Sequence, residues 1–319
     1  MKVEILKKAD NCRLKGSLHV SPEINPYRRY KLLSSQQKAD LFVYDLLHIC
    51  RQPSGCLLIA REGRNILGAA ALHSSGWDSR HFGVRMACIE RFFCNSAAAS
   101  NQLLGNVIQE CRRQKIRHLS CKIEQPDFCS INCLEGEGFK MVDAKLTYVF
   151  YGQRQRIPPL KELFPVREFR RGDLKSLVNI VKDRFWINRF YTDPFFDKSK
   201  AVSFYVKWLK NCCRFKCADM VLVAQRAGIP VGFFTFLQDK ILLKAGIKCW
   251  GRGIAAVSPD APGAYVSLLK EALRRGHELG IDIGEFDTQI SNFPVIRLYQ
   301  RVGMEFVKSS FWFHKPLNL

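Results

Sequence analysis

The chain has 319 residues, 47% of them hydrophobic, and carries 50 Lys and Arg against 29 Asp and Glu, a formal net charge of +21. This length suggests about two domains of ordinary size, and the apolar fraction, with no low-complexity tract, excludes a disordered chain. No run of eighteen apolar residues is present and the opening stretch is mixed and polar without a charged-then-apolar leader, so a soluble, cytoplasmic protein is expected, with no membrane span.

In chain order, residues 36–50 (QQKADLFVYDLLHIC) read as a helix, followed by the strands CLLIA and NILGAAAL. Residues 97–114 place Leu103, Leu104, Val107, Ile108 and Cys111 on one helical face. HLSCKIE reads as a strand, DFCSINCLEGEG as a short helix and FKMVDAKLTYVF as a long strand. A polar, proline-bearing stretch then interrupts the pattern. Beyond it the periodicity predicts helices near 172–184 and 197–211, and strands at MVLVAQ, VGFFTFL and GIAAV. A helix near 264–280 aligns Val266, Leu269, Ala272 and Leu273, and is followed by the strand IGEFDTQ, the helix FPVIRLYQRVG and the strand MEFVKSSFWFHK.

The last three elements of each half superpose without a gap. Asp127 and Asn292 each stand eleven residues before a glycine, Gly138 and Gly303. A side-chain cap at the start and a left-handed glycine at the end would bracket a short helix in both copies. Repeated order with equal spacing predicts two similar domains, residues 1–152 and 163–319, joined by a linker at 153–162. The first thirty residues fit neither copy.

Thirteen cysteines at this length do not make a disulfide scaffold, and Cys88, Cys111, Cys121 and Cys249 sit in apolar runs where a thiol packs as a small hydrophobe. The cluster Cys212, Cys213 and Cys217 has no histidine nearby and no second CxxC, so no metal site is expected. The basic residues are dispersed in short pairs such as Arg112-Arg113 and Arg274-Arg275. They bias the surface towards anionic small molecules, while no basic stripe with interleaved aromatics argues for nucleic acid.

The stretch GIAAVSPDAPGAYVSLLKEAL joins a strand, a short Pro/Gly turn and an amphipathic helix. Such a junction gathers backbone N–H groups and a positive helix end, which suits a pyrophosphate. Next comes FDTQISNFPVIRLYQRVGMEFVKSSFWFHKPL, and with it the chain resembles the Gcn5-related N-acetyltransferase (GNAT) superfamily. There the turn is the coenzyme A loop, and N-x-x-A-x-x-x-Y-x-x-x-G-F opens the following helix; here those places hold Asn292, Val295, Tyr299 and Gly303-Met304. TQ-x-x-N…LY-x-x-x-G…FWFHK, GWDSRHFGV (76–84) and the insert at 189–211 are similar to nucleotide-linked amino-sugar acetyltransferases, of the type acting on dTDP-4-amino-4,6-dideoxy sugars.

The resemblance implies an α/β (α+β) chain of two tandem GNAT-like domains, each a mixed, mostly antiparallel sheet flanked by helices. It implies an acyltransferase using acetyl-CoA (coenzyme A) and a small-molecule amine, with a nucleotide sugar as acceptor. Ala255, Ala256 and Val257 would pair with the pantetheine amides, Pro262, Gly263, Ala264 and Tyr265 would cradle the pyrophosphate, and Asn292 would bond the cofactor arm or cap its helix. Tyr299 would protonate the departing thiolate, since a phenol and a thiol have comparable pKa values. Asp143 stands at an acidic position of the sugar acetyltransferases, either a general base or a solvated strand carboxylate. Trp77, Asp78, Phe185, Trp186, Tyr191 and Asp193 are candidates to hold the acceptor, and His314 is read as a satisfied strand histidine. The loop departs from the usual [QR]-x-x-G-x-[GA] by one residue and by the tyrosine at its end. The counterpart of Tyr299 in the first copy is Leu134, and that copy lacks a glycine turn before its long helix, so coenzyme binding is expected only in the second. Two other readings fit the same fold: transfer of an amino acid from charged tRNA, and coenzyme A binding without turnover.

Overall fold

The computed structural model describes residues 2–6, 25–52, 54–63, 65–124, 127–185, 188–251 and 253–318. They divide into two compact units, Met1–Lys145 with Lys308–Leu319, and Leu146–Val307.

The first unit contains β1 (Lys2–Leu6), α1 (Ser35–Cys50), β2 (Cys56–Glu62), β3 (Asn65–Ser74), α2 (Gly76–Phe82), β4 (Met86–Cys94), α3 (Ala97–Arg113), β5 (His118–Glu124) and α4 (Phe128–Gly136). β6 (Lys140–Tyr151) runs from this unit into the second. β1 to β4 pair in antiparallel succession, and β4 pairs with β5 in parallel. Helix starts follow from side-chain caps: Ser34 and Gln37 form a capping box on α1, and Ser96 accepts the Ala99 N–H at the start of α3. The expected face of α3 is buried, with Leu103, Leu104 and Val107 at 0% exposure, in a core with Leu58, Ile89, Leu119, Leu134 and Phe313. Burial of this kind contributes about 25 cal/mol per Å² of apolar surface.

The second unit continues with β7 (Val166–Glu168), α5 (Leu174–Arg184), α6 (Arg189–Thr192), α7 (Lys198–Cys212), β8 (Met220–Arg226), β9 (Ile229–Gln238), α8 (Lys240–Leu243), β10 (Cys249–Gly251), β11 (Ala255–Val257), α9 (Ala264–Glu278), β12 (Ile283–Gln289) and α10 (Phe293–Arg301). β7, β8, β9 and β10 pair antiparallel, β10 pairs with β12 in parallel, and β12 lies beside β6. Leu268, Leu269, Ala272 and Leu273 of α9 are buried in this unit's core, with Phe234, Phe236, Trp250 and Tyr299.

Each unit is therefore a mixed, mostly antiparallel sheet flanked by helices. The short helices α4 and α10 close on Gly138 and Gly303, both with φ of 78°. The tail falls differently from the expected domain at 163–319. β13 (Glu305–Pro316) pairs Ser310 to Pro316 with Glu124 to His118 of β5, so the last strand completes the sheet of the first unit. The stretch 153–162, expected as a linker, lies within the second unit, where Ile157 and Leu160 pack on its core.

Candidate active site

A break in one strand of the second unit organises the site. β10 has strand neighbours on both sides, β9 through Trp250↔Gln238 and β12 through Cys249↔Ile283. Beyond the break, β11 stays with β9 through Ala255↔Phe234, Ala256↔Phe233 and Val257↔Gly232, and among the described residues it has no other strand partner. The chain thus leaves β12 while keeping β9, which opens one edge of β11. The hinge is held by Thr235, whose N–H donates to Ile254 O at 3.0 Å and whose hydroxyl accepts the Ile254 N–H at 2.8 Å. Gly253 presses on the same place: a Cβ there would lie 1.6 Å from Thr235 O.

The start of α9, like those of α2, α5 and α10, carries no side-chain cap, and it differs from them in opening on a left-handed glycine. α1, α3 and α7 begin under side-chain caps from Ser34, Ser96 and Asp197, whereas α9 begins at Gly263 with no side-chain cap. Gly263 has φ of 87°, and the position of its missing Cβ lies 2.5 Å from Leu163 Cδ1. The glycine is thus demanded by its backbone and by its own chain's packing. Ser267, in the first turn of α9, accepts the N–H groups of Leu163 and Phe164 at 3.0 and 3.1 Å, and Glu162 pairs with Lys270 at 3.1 Å. Pro262 is exposed, Tyr265 half-buried and Ala264 buried at this junction.

Tyr299 is 1% exposed, with the rings of Tyr148 and Phe286 at centroid distances of 5.4 and 5.7 Å. Its hydroxyl lies 2.6 Å from that of Tyr265, whose ring stacks on Phe234 at 5.6 Å. Burial pushes the Tyr299 phenol well above its ordinary pKa, and Tyr265 and the charge of Asp287 push it the same way. Burial also raises Tyr265, against the counter-effect of its bond to Tyr299. Asp287, exposed on β12, accepts the Thr147 hydroxyl at 2.7 Å. Asn292 occupies the N-cap position of α10 but makes no side-chain cap bond, whereas Asp127 caps α4 through the Ser130 N–H at 3.0 Å.

The remaining sequence candidates are distributed over both units. Asp143, on β6, belongs to the first unit, as do Trp77 and Asp78 of α2, both half-buried; the charge of Asp78 acts on His73. Tyr191, in the second unit, lies under the Lys198 ammonium, 4.8 Å from its ring centroid. Asp193 is buried and accepts the Phe195 N–H at 2.9 Å, which turns the chain after α6. Phe185 stacks on Tyr205 at 4.6 Å, and His314 is buried edge-on to His118 at 4.6 Å. Trp186 lies outside the described residues. Thr235, Gly253, Ser267 and Asp287 escaped the sequence reading. Only Gly253, a glycine inside a strand pattern, carried a local signal of close backbone approach.

In the first unit, too, two parallel strands pair over only part of their length. β4 pairs with β5 only from Met86 to Ile89, and past that point Pro26 and Phe42 join Glu90, Phe92, Lys122 and Glu124 around a cavity of about 30 Å³. That is room for a water molecule or two. Arg28 and Lys308 reach Glu124 at 3.6 and 3.3 Å, and Arg91 pairs with Asp45 at 2.6 Å. Leu134, the counterpart of Tyr299, is fully buried.

No protein-family profile matches the chain. The spore coat polysaccharide biosynthesis protein SpsD of Bacillus subtilis (strain 168) is 24% identical over 262 residues, 79% of this chain and 85% of that protein. Among solved structures, a tandem GNAT protein from the clavulanic acid biosynthesis pathway superposes with a TM-score of 0.58, over 100% of this chain and 99% of that one, at 13% identity. The chain has the tandem GNAT fold. A GCN5-related glucosamine N-acetyltransferase region of a fungal multi-domain β-N-acetylglucosaminidase shares the fold with a TM-score of 0.58 at 13% identity, over 98% of this chain and 38% of that one. No helix of this GNAT fold, among the described residues, is long and apolar enough to cross a membrane.

Proposed function

We propose that the chain is an N-acyltransferase that moves an acetyl group from acetyl-CoA to a primary amine on a nucleotide-linked amino sugar, with the second unit carrying the cofactor. The observation that supports this most is the strand break at Gly253, which leaves the edge of β11 away from β9 without a strand partner among the described residues, ahead of the glycine start of α9. The residues fit the cofactor: Ala255 to Val257 offer main-chain groups to an extended amide arm, and Gly263 to Tyr265 bring a helix N-terminus to a pyrophosphate. Acetyl-CoA, when bound, supplies the activated acyl group. Tyr299 is assigned as the proton donor to the leaving sulfur: a phenol is protonated at neutral pH, and burial makes this one a weaker acid than a free phenol. Asn292, not engaged in capping, is assigned to the cofactor arm.

Two carboxylates are available to take the amine proton. Asp143 is the position suggested by sequence, and Asp287 stands in the same unit as Tyr299, on the strand from which β11 parts. Trp77, Asp78, Trp186, Tyr191 and Asp193 stay assigned to the acceptor. The amino-sugar acceptor draws support from two likenesses, to a spore coat polysaccharide biosynthesis protein and to a glucosamine N-acetyltransferase region. The test is release of free thiol on incubation with acetyl-CoA and dTDP-linked amino sugars or other amines. No release above background with any amine would end the acyltransferase reading. A Tyr299→Phe variant is expected to lose about 10²- to 10⁴-fold in turnover.

A further inference from the structure

The residue that departs from the usual coenzyme loop is also the residue that touches the proposed acid. Tyr265 stands in the first turn of α9, where the superfamily pattern has glycine or alanine, and its hydroxyl meets that of Tyr299 at 2.6 Å. Neither ring is free to turn away: Tyr265 stacks on Phe234, and Tyr299 is enclosed by Tyr148, Phe286 and Tyr265. A 2.6 Å contact between two phenols holds one hydrogen between the oxygens, which leaves the acceptor's own hydrogen for a different partner. Tyr299 is 1% exposed; Tyr265 is half-buried as a residue, with its hydroxyl turned inward on that of Tyr299, where burial raises its phenol as well.

We propose that Tyr265 is a positioning and proton-resupply residue for Tyr299, donating its hydroxyl hydrogen to the Tyr299 oxygen so that the Tyr299 hydrogen is presented to the leaving sulfur. The inference rests on the acyltransferase reading and deepens it. In the transfer, the bond from the amine nitrogen to the acyl carbon forms and the carbon–sulfur bond breaks, its electron pair leaving with sulfur. Sulfur takes the Tyr299 proton, the Tyr299 oxygen takes the Tyr265 proton, and Tyr265 recovers one from water. The amine nitrogen gives one proton to a carboxylate and thence to solvent, so protons balance over the cycle. A buried phenolate at Tyr299 would be costly to leave standing, and a donor at hydrogen-bond distance removes that cost within the same turnover.

The experiment compares the parent with Tyr265→Phe, Tyr299→Phe and the double variant, with circular dichroism to establish that each is folded. Tyr265→Phe keeps the ring that stacks on Phe234 and removes only the hydroxyl. Turnover should fall about tenfold or more in Tyr265→Phe, with KM for acetyl-CoA within about twofold of the parent, and the double variant should be no slower than Tyr299→Phe alone. The alkaline limb of the pH–rate profile should shift in Tyr265→Phe, because the bond between the two hydroxyls is one of the influences on the Tyr299 phenol. An active parent whose Tyr265→Phe variant matches it in turnover and pH profile overturns the relay alone, as do losses that multiply in the double variant. A parent that releases no thiol with any amine overturns the acyltransferase reading, and the relay with it.

Discussion

A β-carbon on Gly253 would lie 1.6 Å from the carbonyl oxygen of Thr235. The two residues are the seam at which β10 ends and β11 begins, with the Thr235 hydroxyl bridging both main-chain groups of Ile254. Since the obstacle is backbone, Gly253→Ala has to move a strand to fit. The variant should destabilise the second unit by about 1–3 kcal/mol in urea unfolding. It should also lose the thermal stabilisation by coenzyme A that the proposed function predicts for the parent. A variant as stable as the parent and stabilised equally by coenzyme A would show that the seam does not shape the site.

Ser267 accepts two main-chain N–H groups, from Leu163 and Phe164, and is itself 1% exposed. Ser267→Ala leaves both donors beside a methyl group, at a cost of about 1–3 kcal/mol for the buried one, Phe164. Hydrogen exchange at Leu163 and Phe164 should accelerate in this variant, while exchange in β8 and β9 stays near parental rates. Unchanged exchange at those two amides would mean the bonds to Ser267 hold nothing in place.

Asp287 is tied to Thr147 and its charge reaches Tyr299. If it handles the proton of the acceptor amine, Asp287→Asn should lower turnover by about 10²-fold, with KM for acetyl-CoA near parental. Asp143→Asn is the comparison. The variant with the larger loss marks the base, and parental rates in both would remove carboxylate participation from these two strands.

His73 and Glu90, 3.1 Å apart in the first unit, should give that unit a stability optimum in mildly acidic solution. Burial works against both charges, but the His73 hydrogen bond and charge, with Arg91 and Lys122, hold Glu90 at about 2, below its ordinary 4.5. Burial likewise opposes the imidazolium of His73, which Glu90, the Ser74 carbonyl and Asp78 nevertheless raise above 6.5. The depressed carboxyl contributes fully above 4.5 and fades as pH falls towards 2. The raised imidazole contributes fully below 6.5 and fades as pH rises through its folded value. The pair is therefore at full strength between pH 4.5 and 6.5. Urea midpoints across pH should show that plateau in the parent and a flatter curve in His73→Gln; parallel curves would mean that the pair contributes nothing.

Much of the architecture was legible because it is written in local patterns. The stripe Leu103, Leu104, Val107, Ile108 and Cys111 is buried as its 3.6-residue spacing required, and the equal spacing from Asp127 to Gly138 and from Asn292 to Gly303 appears as two short helices closed by left-handed glycines. Pairing between distant segments was not legible. The sequence of β13 says that it is a strand, but nothing within it says that Phe313 pairs with Cys121 and packs in the first unit's core. The site shows the same limit. Tyr299 was singled out by its motif, yet its bond to Tyr265 depends on two helices meeting side chain to side chain. Asp287 carried no signal in the sequence, because its partner Thr147 is 140 residues away.

The narrowed opening beside Pro26 and Phe42 in the first unit has a consequence for stoichiometry. Although the fold is present twice, titration calorimetry should saturate at one equivalent of coenzyme A per chain, in a single isotherm without cooperativity. The first copy would contribute no second binding event, its Glu90, Lys122 and Glu124 lining a space for no more than a water molecule or two.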